Sequence, residues 1–218
     1  MIRVTQGHER GVGLEIFFKS FICLKKTHQA LFILYCHRKT LVECLTLTNL
    51  PFNLIDDQVK ILSNTLKVKF VDHKLSQTTD SLNEALKNMK NEDVLLTLPS
   101  SKDQIVCKNR VYKGYTDFLR ALYPSNHIVM SFVAPQFNVA LLTDHIALKD
   151  IEKHLTPNIF LNRTLASIKN FLSIKPIKDV YIAGINPHCG EDGIISGYDS
   201  LLQDEVLRIE EQFPKLKI

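Results

Sequence analysis

The run Ala30-Leu31-Phe32-Ile33-Leu34-Tyr35-Cys36 constrains this chain more than any other stretch. A continuous apolar run without alternation needs cover on both faces, as a central strand of a parallel sheet receives from flanking helices. Shorter runs at Ile2 to Thr5, Asp93 to Leu98 and Val180 to Ala183 predict further strands. Residues 51–78 carry a weaker pattern, with Lys67 to Val71 the best strand candidate there. Between these runs, Glu15 to Leu24 places Ile16, Phe17, Phe21 and Leu24 on one helical face. Thr40 to Thr46, Ser81 to Met89, Asp150 to His154, Pro157 to Leu172 and Ser200 to Phe213 also read as helices. A further helix opens at Tyr115, with Thr116 as its expected N-cap. Ile128 to Ala134 and Asn138 to Leu142, joined at Pro135-Gln136, predict an antiparallel hairpin. The expected class is therefore α/β, with a mixed, mostly parallel sheet and flanking helices. We expect an N-terminal α/β domain over 1–120 and a second α/β domain over 121–218.

Composition narrows the chemistry. Of 218 residues, 45% are apolar and 23% charged, which is ordinary for a globular chain. The formal net charge of +4 comes from scattered lysines and arginines. No basic stripe interleaved with aromatics is present to stack bases, so no nucleic-acid partner is expected. No apolar run approaches ~18 residues and no signal peptide opens the chain, so no membrane partner is expected either. Cys23, Cys36, Cys44, Cys107 and Cys189 include no C-x-x-C pair, which points to a reducing, cytoplasmic setting.

Three local patterns bear on function. GHERGVG (7–13) lies between the first strand and the first helix, where backbone N–H groups can meet an anion. It is neither G-x-G-x-x-G nor a Walker A sequence, so alone it is a weak motif. Lys102 stands in the turn after Pro99, where it either contacts an anion or is simply solvated. His145 and His188 each follow an apolar strand, and in α/β proteins strand ends are where ligands sit. Two imidazoles converging at one sheet edge would supply two of the three protein ligands that catalytic metals usually take. Asp144, Glu191 and Asp192 are nearby carboxylates that could join or orient them. By spacing alone, two unrelated surface histidines are the commoner arrangement.

The blocks ALLTDHIALKDIEKHLTP (140–157), AGINPHCGEDG (183–193) and TQGHERGVGLEI (5–16) resemble signatures of the 4-hydroxythreonine-4-phosphate dehydrogenases of pyridoxal phosphate biosynthesis. LLTLPSSKDQ (95–104) and YKGYTDFL (112–119) fall between them in the family's order. The resemblance implies a homodimer of two-domain subunits, with an architecture like that of isopropylmalate dehydrogenase but without its C-terminal part. It implies NAD or NADP as oxidant and a divalent metal, zinc, magnesium or cobalt. The implied substrate is a phosphorylated small molecule, 4-phosphohydroxythreonine, oxidised at its secondary alcohol and then decarboxylated. His145 and His188 stand where the family has two of three metal ligands. Tyr115, Thr116 and Lys102 stand at substrate-contacting positions, and Gly7, Gly11, Gly13 and Glu15 at a weakly indicated cofactor turn.

Some positions depart from the family pattern. His8, Glu9, Arg10 and Leu14 replace the family's Asp, Pro, Ala and Pro, and Tyr115 replaces a histidine. No histidine lies between residues 194 and 218 to act as a third ligand, so the chain is expected to be shortened relative to the family. The alternative to an active dehydrogenase is a catalytically impaired, family-derived binding or regulatory protein.

Overall fold

The structure is a computed structural model that describes residues 1–107, 110–124 and 127–218. It divides into two compact units, Met1–Phe118 and Leu119–Ile218.

In the first unit, β1 (Ile2–Thr5), β2 (Phe32–Cys36), β3 (Phe52–Ile55), β4 (Gln58–Ile61), β5 (Asn64–Phe70) and β6 (Val94–Thr97) form one sheet. Its spatial order is β3-β4-β5-β2-β1-β6. β1 runs parallel to both β2 and β6, with Val4 opposite Leu34 on one side and Leu96 on the other. β2 runs parallel to β5, and β4 and β3 then fold back antiparallel. The sheet is thus mixed and mostly parallel, as the apolar runs predict. Helices α1 (Gly13–Ile22), α2 (Lys26–Gln29), α3 (Arg38–Leu47) and α4 (Gln77–Lys87) accompany it. Val4, Phe18, Phe21, Leu34 and Leu41 are fully or almost fully buried in its core. Each such side chain contributes about 1.5–3 kcal/mol by leaving water. α4 starts where the Ser76 hydroxyl accepts the Thr79 N–H at 3.1 Å. A two-residue ladder, β7 (Val106–Cys107) with β8 (Arg110–Val111), precedes α5 (Tyr115–Leu122). Thr116 is the second residue of α5, not its cap. Instead the Asp117 carboxylate accepts the Lys113 N–H at 3.0 Å.

The second unit contains the expected hairpin, β9 (Met130–Val133) with β10 (Asn138–Leu141). α6 (Ile151–His154) is one turn, and α7 (Pro157–Ile174) follows it. α7 begins with the Thr156 hydroxyl over the Ile159 N–H and Pro157 in its first turn, where a missing N–H costs nothing. The expected last helix is two pieces, α8 (Tyr198–Leu201) and α9 (Gln203–Gln212), interrupted at Leu202. Phe160, Ile168, Leu202 and Ile209 form the buried centre of this unit.

One expected strand does not form. Among the described residues, 180–183 is extended chain whose neighbourhood has only a single bridge, Asp179 to Lys217. The Val180 N–H reaches the Lys217 carbonyl at 2.8 Å, and no ladder continues from there. Its alternation still shows, because Val180 and Ile182 pack on the helical core while Tyr181 is 89% exposed. A β-branched run becomes a strand only when a neighbouring backbone takes up its hydrogen bonds. Among the described residues, no helix is long and apolar enough to cross a membrane.

Candidate functional site

The glycine turn closes the C-terminal end of β1. Gly7 has φ +73, and a Cβ there would lie 2.4 Å from the Pro99 carbonyl oxygen. Gly13 packs less tightly on the same segment, with Leu98 Cβ 3.0 Å from the place a Cβ would take. The His8 N–H donates to the Pro99 carbonyl, the Gly11 N–H to the His8 carbonyl, and the Arg10 N–H to His8 Nδ1, each at 3.0 Å. Three of the turn's amides are therefore committed, two within the turn and one to Pro99, and Gly7 and Gly13 serve close packing against 98–99. Glu15, half-buried in the first turn of α1, pairs with Lys19 one helical turn on.

Lys102 is exposed at the head of a short 3₁₀ turn, Lys102–Gln104, beyond β6. Thr116 is half-buried on α5. Tyr115 is half-buried, and its hydroxyl donates to the Leu98 carbonyl at 2.8 Å. Burial pushes that phenol up to about 12. It is a fixed hydrogen-bond donor, not a group that exchanges protons near neutrality.

His145 follows β10 and adopts φ 54, with its side chain exposed. The residue before it is held firmly. Asp144 receives two bonds from the Arg120 guanidinium, at 2.6 and 2.9 Å, and its side chain is 7% exposed. Those bonds hold the Asp144 carboxyl below the usual carboxylate range. The Arg163 guanidinium, reaching from α7, bonds the Leu142 carbonyl. A carboxylate chelated by arginine is a poor metal ligand, so Asp144 positions the His145 turn and does not extend its donor set.

His188 lies in the second unit's most unusual backbone. His188, Cys189, Gly190, Glu191 and Asp192 all have positive φ, between 50 and 81, making a left-handed turn within 187–193. For residues other than glycine this costs roughly 1 kcal/mol or more apiece, so it persists only where its surroundings impose it. Here the Asp199 carboxylate accepts the Ile185 N–H at 2.7 Å, the Asn186 N–H at 3.2 Å and the Asn186 side-chain amide at 2.9 Å. Partial burial pulls the Asp199 carboxyl upward, but these bonds outweigh it and leave the group below its ordinary value. Gly190 is buried, and a Cβ there would strike the Ser196 carbonyl oxygen at 2.1 Å. The turn holds His188, Glu191 and Asp192 exposed. Among the described residues, neither His145 nor His188 belongs to a cluster of three or more His, Cys, Asp or Glu side chains. Each is an exposed imidazole, and a zinc-type ion at either would need further donors.

The structure assembles one cluster that the motifs do not reveal. His37 after β2, His73 after β5 and Asp80 in α4 bring one ligand atom each within 4.8 Å of the others. They come together because β2 and β5 are neighbours in the sheet, which sequence spacing does not show.

These features define a class: a two-unit α/β protein carrying two scaffolded histidine turns in its second unit. The family described as pyridoxal phosphate biosynthetic protein PdxA matches residues 28–209. The chain belongs to that family. A 4-hydroxythreonine-4-phosphate dehydrogenase of Sulfurihydrogenibium sp. is 27% identical over 211 residues, covering 89% of this chain and 65% of the relative. The enzyme of that name from Marinobacter nauticus is 35% identical over 104 residues, 46% of this chain and 31% of the relative. The chain thus spans just under two thirds of the length of the first of these curated relatives. Crystal structures of 4-hydroxythreonine-4-phosphate dehydrogenases from Burkholderia phymatum and Klebsiella pneumoniae superpose with TM-scores of 0.77 and 0.70. They cover 100% and 97% of this chain, and 72% of each of those chains, at 21% and 22% identity. At that identity the match establishes the shared fold.

Proposed function

We propose that the chain serves pyridoxal phosphate biosynthesis as an NAD(P)- and metal-dependent dehydrogenase. Its substrate in this reading is 4-phosphohydroxythreonine, oxidised at the secondary alcohol. The observation that carries this reading is the scaffolding of the two histidine turns. The Asp144–Arg120 pair fixes the residue before His145, and the Asp199 carboxylate gathers three donors from the segment leading to His188. Both imidazoles are left exposed on backbones with positive φ. Such investment in an exposed side chain is typical of a position selected for what it binds.

In this reading His145 and His188 hold a divalent ion, zinc, magnesium or cobalt, together with a donor beyond these two. When bound, the ion would polarise the substrate alcohol as a Lewis acid. The Lys102 ammonium, exposed beyond β6, is suited to a substrate anion, and the Thr116 hydroxyl to a hydrogen bond with it. The Tyr115 phenol, protonated and bonded to the Leu98 carbonyl, shapes that surface without moving a proton. A homodimer in the cytoplasm belongs to the same reading.

A second reading, a family-derived binding or regulatory protein, is favoured by Tyr115, whose proton is held to about 12 where the family places a histidine. The test is an assay of the purified chain with 4-phosphohydroxythreonine, NAD or NADP and zinc, with His145→Ala and His188→Ala as controls. Reduced nucleotide formed by the wild type and lost in both variants supports the dehydrogenase. Substrate binding by calorimetry without turnover establishes the second reading and overturns the first.

A further inference from the structure

The cluster at His37, His73 and Asp80 lies wholly in the first unit and shares no residue with the histidine turns. We propose that these three side chains form a binding site for a divalent transition ion of the zinc class, joining the ends of β2 and β5 to the start of α4. The inference does not depend on the dehydrogenase reading.

The first argument is geometric. Metal–ligand bonds of roughly 2.0–2.1 Å in a tetrahedron put neighbouring ligand atoms roughly 3.3 Å apart. His73 Nδ1 lies 3.3 Å from Asp80 Oδ2, and His37 Nε2 lies 3.9 Å from the same oxygen. The two imidazole rings meet edge to face, with centroids 5.5 Å apart and planes at 76°. Two nitrogens can therefore point at one centre without the rings stacking.

The second argument is an unsatisfied atom. His37 Nε2 is buried, with the side chain only 9% exposed, and has no hydrogen-bond partner among the described residues. Buried ring nitrogens are normally paired, and an orphan needs an explanation. The contact to Asp80 at 3.9 Å is too long to be that partner. An ion would satisfy Nε2 directly.

The donors are also positioned in advance. The His37 N–H donates to the Gln6 side-chain carbonyl at 2.8 Å. The Asp80 carboxylate accepts the Lys74 N–H at 2.8 Å and the Leu75 N–H at 3.1 Å, fixing its orientation while leaving lone pairs on its oxygens. His73 is the exposed member, with 63% of its side chain open to solvent. On the Asp80 side, Asp72, Lys74, Asp80, Glu84 and Lys87 line a groove of about 590 Å³. Two imidazoles and a carboxylate suit zinc, cobalt or nickel over calcium or magnesium, which prefer oxygen alone.

The test uses the full chain, stripped of metal, with His145→Ala/His188→Ala as the parent so that only the proposed site is read. Zinc is titrated by calorimetry, and cobalt is followed by its visible d–d absorption. The expected result is one bound ion in the parent. Adding His73→Ala should weaken binding at least tenfold and remove the cobalt bands, and His37→Ala should do the same. Because His73 is exposed, its replacement should leave the melting curve in EDTA unchanged, which separates lost ligation from lost folding. Zinc affinity unaffected by His73→Ala, or a parent that binds no zinc at millimolar concentration, overturns the proposal.

Discussion

Gly7→Ala tests the packing of the glycine turn directly. Gly7 sits at φ +73, a region where an L-residue with a Cβ pays about 1–2 kcal/mol. The added Cβ would also lie 2.4 Å from the Pro99 carbonyl oxygen and 2.8 Å from that of Leu98. Those atoms are backbone, and the segment is tied on three sides. The Leu98 N–H reaches the Thr5 carbonyl at 3.2 Å, the His8 N–H reaches the Pro99 carbonyl at 3.0 Å, and the Tyr115 hydroxyl reaches the Leu98 carbonyl at 2.8 Å. Moving it breaks one or two of these bonds, at about 1 kcal/mol each. The combined loss is about 2–4 kcal/mol. With an m-value of about 2 kcal/mol per molar, the urea midpoint of the first unit should fall by about 1–2 M in far-UV circular dichroism. Gly11→Ala is the control, because its Cβ would meet only His8 of the same turn, at 3.2 Å, and no positive φ is involved. It should cost under about 1 kcal/mol. A Gly7→Ala chain with the wild-type midpoint, or a Gly11→Ala chain that loses more, would refute the reasoning.

Arg120→Ala leaves the largely buried Asp144 carboxylate without its two charge-assisted bonds, and should cost about 1.5–3 kcal/mol in urea denaturation. Faster amide exchange over residues 143–146 should accompany it, and unchanged exchange would show that the pair does not hold the His145 turn. Asp144 is depressed in the folded state, so its contribution to stability is complete above the unfolded value near pH 4. It is lost as pH falls through the folded value. Acid titration should therefore destabilise the wild type more than Arg120→Ala as pH falls below about 4, and parallel curves would count against the pair. Tyr115 is raised from 10.0 to about 12, so its contribution is present below pH 10 and is lost as pH rises towards 12. Difference absorbance at 295 nm should show a late tyrosine component, and Tyr115→Phe should reduce it and cost about 1 kcal/mol.

The parallel part of the sheet is legible at β2 and β6, which are apolar runs, and less so at β5, whose residues alternate between buried and exposed. Ala30 to Cys36 specifies the centre almost alone. The antiparallel flap is not so plain. β3 and β4 are four residues each with alternate residues exposed, and their tight turns place Asp56 and Leu62 at positive φ without a glycine to mark them. Val180 to Ala183 misleads in the opposite direction, since its residue types suit a strand but its neighbours supply a single bridge. The histidine turns are visible as motifs, yet the residues that brace them are not. Arg120 and Asp199 carry no signal of pairing with Asp144 and Asn186, because the pairing is made by the fold. The His37 cluster is hidden for the same reason, as it exists only once β2 and β5 lie side by side.

The left-handed turn at 188–192 sets stability and binding against each other at single positions. Glycine at His188, Glu191 or Asp192 would relieve a conformation that L-residues resist, and each change should raise the melting temperature. The same change at His188 deletes the imidazole. A chain selected only for durability would drift towards glycine here, so the side chains that remain record a trade-off. Comparing His188→Gly with His188→Ala would put a number on it, because the alanine keeps the strain and the glycine releases it.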